Sequence, residues 1–119
     1  MDIFYSKILV IFLIFLGETL AIYAEMIGAR THSVTSQPFL QIFLKMLLII
    51  VIAGGFLIAG YMLGLKAFQN IWIVSVTSIT SILIMEPILA YTVFQQLPTK
   101  GAIIGLILGI LGFISTMLL

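Results

Sequence analysis

The chain has no cysteine, one histidine, three prolines and few charges: five basic and four acidic side chains among 119 residues. Without cysteine there is no disulfide framework, no thiolate metal site and no thiol redox chemistry. His32 alone cannot assemble a histidine-based metal cluster. No nucleophile–base pair, ligand cluster or phosphate-binding loop is visible, so neither enzymatic activity nor a cofactor is expected. A net charge of +1, scattered along the chain, excludes a nucleic-acid surface. Charged residues make up 8% of the chain, against about 25% in soluble domains. They are too few to cover a 13.1 kDa particle in water, which excludes a water-soluble globule.

What the chain has instead is apolar length. Hydrophobic residues make up 63% and the mean hydropathy is +1.37. A bilayer core of about 30 Å needs roughly 20 apolar residues in helical form. Four runs meet that need, about 7–27, 38–64, 71–94 and 101–119. Backbone amides facing lipid must be paired within a helix or a closed barrel, and the two-residue alternation of a barrel is missing. The expected fold is therefore an all-α membrane protein, a single domain over 1–119 with four transmembrane helices. The first run contains Glu18 and no small-x-small cleavage site, so it reads as a retained span rather than a secretory signal. The polar stretch from Gly28 to Gln37 reads as a connection, with Pro38 placed to open the second helix. Lys66, Gln69 and Asn70 mark the second turn, and Gln95 to Lys100 the third.

Four spans place both ends of the chain on one side. Lys7 and Lys66 then face Arg30, Lys45 and Lys100 across the membrane, two basic residues against three, which sets no firm orientation. The loops are too short for a soluble catalytic domain, so function is expected inside the membrane. There, carboxylates are costly and default to a task. Glu18 lies near the middle of the first run, and Glu86 about two-thirds along the third, directly before Pro87. Either could be a protonatable group lining a cavity, for which proton and substrate compete, or a polar anchor bonded to a neighbouring helix. Glu25 lies seven residues after Glu18 on nearly the same face, but close enough to the helix end to reach headgroups. Pro87 removes one helical hydrogen bond and is a candidate kink. The hydroxyl-rich segment before it, with Ser75 and Ser78, could line a hydrated cavity or bond between helices. Tyr61, Trp72 and Tyr91 are further cavity-lining candidates, although interfacial belts already account for Tyr61 and Trp72. Gly101, Gly105, Gly109 and Gly112 form one stripe on the fourth helix, a packing or dimerisation face, and Gly60-x-x-x-Gly64 is a shorter version on the second. Four helices enclose little volume, which favours at least a dimer.

Three segments carry a family resemblance: Phe56-Leu57-Ile58-Ala59-Gly60, Glu86-Pro87-Ile88-Leu89-Ala90, and Ile104-Gly105-Leu106-Ile107-Leu108-Gly109-Ile110-Leu111-Gly112. Together they resemble the drug/metabolite transporter superfamily, in particular the EamA-type half unit and the small multidrug resistance proteins. The shared pattern is a Glu-Pro in helix three, a short turn, then glycines seven residues apart in helix four. The first helix also carries its carboxylate, Glu18, one turn later than in those proteins. The resemblance implies a small multidrug resistance-like bundle in the lipid bilayer, working as a homodimer or as a heterodimer with a related four-helix subunit. It further implies proton-coupled export of an amphipathic or cationic small molecule by alternating access, with Glu18 as coupling residue, Glu86 assisting, and Gly105 and Gly112 holding the partner. The membrane would be the inner (plasma) membrane of a bacterium or archaeon. A subunit that flips lipid-linked sugars and a non-transporting accessory subunit of a membrane complex are the alternatives.

Overall fold

The computed structural model describes residues 3–119, the side chains of Ile3 and Met117 excepted. It contains four helices in succession: α1 (Ile3–Val34), α2 (Phe39–Phe68), α3 (Ile71–Phe94) and α4 (Lys100–Leu118). Segments 4–34, 39–68 and 71–94 are long and apolar enough to cross a membrane, and Lys100–Thr116 is a shorter apolar helix. Their exposed faces are as apolar as their buried ones: Leu48, Val51 and Met62 on α2 are each about two-thirds exposed. A surface of this kind suits lipid, since monomers in water rarely expose large contiguous apolar patches.

The α1 helix runs further than the apolar pattern suggests. The stretch from Gly28 to Gln37 does not form the connection as a whole; α1 continues through it to Val34, and only residues 35–38 link it to α2. Packing explains the difference. A Cβ placed on Gly28 would lie 2.9 Å from Met46 Cγ, so this polar last part of α1 is clamped against α2 and keeps its helical bonds. Pro38 sits one residue before α2 as its cap, with φ −60° and ψ 142°. At 1.5 Å per residue α1 is about 48 Å long, close to the 49 Å longest dimension of the molecule. It therefore projects well beyond a hydrocarbon core of about 30 Å.

The connections are short and locally bonded. Gln69 and Gln95 end α2 and α3 in the left-handed conformation, at φ 56° and 57°, and donate their amides to the Leu65 and Tyr91 carbonyls. The Asn70 carboxamide accepts the Trp72 amide at 2.9 Å, and the Thr99 hydroxyl accepts the Ala102 amide at 3.1 Å, so α3 and α4 each begin on a capped turn. Asn70→Ala removes the cap of the two-residue α2–α3 turn and is expected to destabilise the protein by about 1 kcal/mol. Detergent-titrated unfolding followed by far-UV circular dichroism checks this, and a stability equal to the wild type would show that the cap is redundant.

α1 and α2 pack as an antiparallel pair in strict register. Gly60 faces Ile14, Gly64 faces Val10, Gly17 faces Leu57 and Gly28 faces Met46, and the residue numbers of every pair sum to 74. Glycine at these points lets the backbones approach closely, the main source of helix association where lipid removes any hydrophobic drive. α1 packs in parallel along α3, 60 residues out of register, as the Glu18–Ser78 contact shows. Val10, Ile14 and Val74 form the fully buried core, with Leu57, Tyr61, Ala67 and Phe68 against it. α2 touches α3 far less than α1 does, and among the described residues α4 rests only on α3. The helices thus stand in the order α2, α1, α3, α4, a sheet of helices only 17 Å through its thin dimension. Its surface of 8163 Å² exceeds the roughly 6,400 Å² of a compact monomer of this mass.

Candidate functional site

Glu18 sits in the middle of α1, at the seam with α3. Its carboxylate accepts a 2.5 Å hydrogen bond from the Ser78 hydroxyl. Ser78 is buried, whereas Glu18 is half-exposed on the broad face of the sheet. A charge-assisted bond of this length is strong, and the Glu18 side chain is only partly buried.

The hydroxyl-rich run of α3 does not form a continuous polar track. Thr77, Thr80 and Ser81 donate to the carbonyls of Ile73, Val76 and Thr77, four residues back on their own helix. Ser78 alone among these reaches across to another helix. Ser75 is half-buried on α3. Tyr61 packs on the Val10–Ile14–Val74 core, and Trp72 is 72% exposed at the opposite end of α3 from Glu86. Neither aromatic is brought to Glu18.

Glu86 is exposed and lines a cavity of about 500 Å³ between α3 and α4, together with Pro87, Tyr91 and Gly105. α3 passes through Pro87 without interruption. Along α4, a Cβ placed on Gly109 would lie 3.4 Å from Leu83 of α3, one on Gly101 would meet only Thr99, and ones on Gly105 and Gly112 would meet nothing within 4 Å. The glycine stripe is therefore divided: Gly109 seats the helix on α3, Gly105 borders the α3–α4 cavity, and Gly112 faces open space.

Sequence reasoning set Glu25 aside as an interfacial residue, yet the fold gives it a more specific place. It lines a second cavity, about 460 Å³, between α1 and α2, and His32 lines the same cavity one heptad later. The parallel register of α1 and α3, offset by 60 residues, sets Glu25 level with Met85 and Glu86. Glu18, Glu25 and His32 recur every seven residues, a spacing that drifts by only about 20° per step around a helix. That seven-residue spacing is visible in the sequence. Neither cavity is lined by Glu18.

The chain matches no family model, no curated protein and no solved structure. Among the described residues no group of three or more histidine, aspartate or glutamate side chains is arranged to hold a metal ion.

Proposed function

We propose that the chain is a small membrane transporter that works as a dimer and exports an amphipathic or cationic small molecule in exchange for protons, by alternating access. The observation that carries this reading is the mid-helix carboxylate of Glu18, half-exposed and held by a hydroxyl that can bond it in either protonation state. A row of helices 17 Å thick encloses no central vestibule, so a second four-helix unit laid against the Glu18 face is needed to create one. Pairs of related units rocking against each other supply the two access states such transport requires. Glu86 and Tyr91 would then flank the path on α3, and Gly105 and Gly112, free on α4, would meet the partner. The likeness of the Glu86-Pro87 and Ile104–Gly112 segments to drug/metabolite transporters agrees with this reading, in which the membrane would be a bacterial or archaeal plasma membrane.

The test is proton-driven efflux from liposomes containing the protein. Glu18→Gln is expected to abolish efflux that depends on a pH gradient while leaving folding and self-association intact. Undiminished efflux by that variant would remove Glu18 from the mechanism.

A second reading draws on the same contact. The Glu18–Ser78 bond is also what an accessory subunit needs to hold two helices together. In that case the wild type carries no efflux by itself and purifies with a larger unrelated membrane protein.

A further inference from the structure

The α1–α2 cavity straddles the boundary at which the apolar stretch of α1 ends. Glu25 lies three residues before Gly28, where the polar stretch begins, and His32 four residues after it. At 1.5 Å per residue the carboxylate is rooted about 5 Å inside that boundary and the imidazole about 6 Å outside. Met46, Leu47 and Ile50 form the cavity's deeper wall, on the acyl-chain side of the boundary. At its mouth His32 stands edge-on to Phe39, ring centroids 5.5 Å apart, and Phe39 stacks on Phe43 at 5.8 Å. The groove thus has an apolar floor, a carboxylate at its waist and an N–H donor at its rim.

We propose that this groove is a binding site for a bilayer phospholipid whose headgroup ends in a primary ammonium. One acyl chain lies along Met46, Leu47 and Ile50, the ammonium meets Glu25, and the phosphate accepts from His32. The lipid is the medium that faces this groove in a membrane, and the charge pattern selects among lipids. Glu25 places a carboxylate at the waist, which disfavours anionic headgroups. A quaternary ammonium has no N–H to donate, so a choline headgroup forfeits the hydrogen bond to the carboxylate. A neutral imidazole still offers one N–H, so the rim contact does not depend on its charge. The cavity's volume of about 460 Å³ falls within the range of small-ligand sites, about 300–1,000 Å³.

The experiment uses a single-tryptophan protein, Phe43→Trp with Trp72→Phe, in phosphatidylcholine vesicles. These contain an equal small fraction of either brominated phosphatidylethanolamine or brominated phosphatidylcholine as quencher. The ethanolamine lipid is expected to associate about fivefold more strongly, the worth of roughly one net hydrogen bond. Glu25→Ala, at an exposed position, removes the acceptor and should abolish that preference without loss of helix. The native Trp72, at the opposite end of α3, should be quenched equally by both lipids. Equal quenching of the groove tryptophan, or a preference that survives Glu25→Ala, would overturn the proposal. So would a stronger response to brominated phosphatidylglycerol, or an ethanolamine preference at Trp72. None of these readings depends on whether the protein transports anything.

Discussion

Gly60→Leu is expected to destabilise the protein by about 3 kcal/mol, the upper part of the range for overpacking a close-packed seam. A Cβ at position 60 would already lie 2.7 Å from Ile14 Cγ1, and a leucine adds three more carbons beyond it. Ile14 cannot step aside, because it is fully buried in the core with Val10 and Val74. The helices must therefore separate, and separation breaks every other contact in the same register, from Gly64 on Val10 to Gly28 on Met46. Gly55→Leu is the matched control. That glycine is on the same helix with nothing within 4 Å of its added Cβ, so its replacement should change stability by no more than about 0.5 kcal/mol. Reversible unfolding in mixed micelles measures both. Introducing Ile14→Ala alongside Gly60→Ala makes room for the new methyl, so the pair should be less destabilised than the sum of its single variants. Strict additivity would mean that the two positions do not touch.

Ser78→Ala is expected to cost about 1.5 kcal/mol, near the lower bound for a hydrogen bond to a charged group and near the upper bound of those measured within membranes. The cost arises because the hydroxyl is the cross-helix donor to Glu18 and is itself buried. Ser81→Ala provides the comparison. Ser81 is equally buried, but its hydroxyl bonds the Thr77 carbonyl on its own helix, and that carbonyl keeps its main-chain donor when the side chain is lost. Its effect should stay below about 0.5 kcal/mol. A double-mutant cycle of Ser78→Ala with Glu18→Gln isolates the coupling. A coupling near zero would show that α1 and α3 are held by shape alone. A coupling of the expected size, joined to lost efflux in Glu18→Gln, would tie one bond to both architecture and transport.

Much of the fold was legible because lipid imposes a simple rule. A run of about 20 apolar residues with few charges has to satisfy its own amides, and the four helices follow from that rule without reference to one another. The ends were less legible. The Gly28–Val34 segment looks like a loop by polarity, but it is helical because Gly28 admits the Met46 side chain from a helix that begins only at Phe39. The candidate site was legible in part. Glu18 and Ser78 were both recognisable as unusual residues for a span, but nothing local distinguishes Ser78 from Thr77, Thr80 or Ser81. Each of those could bond its own backbone, and three of the four do.

Residue type and run length were thus enough for the number, kind and rough placement of the helices, and for acids stranded within them, since each depends on the transfer of a segment out of water. Partner choice was not contained there. Gly60-x-x-x-Gly64 and Gly105-x-x-x-Gly109 are equivalent as patterns, yet the first is sealed against α1, while in the second Gly105 lies open and Gly109 only touches Leu83. Close packing is a relation between two surfaces that meet at one register, and neither surface carries a record of the other. The same holds for Glu25 and His32, which are ordinary polar residues along α1 until α2 folds back and turns the space between them into a groove.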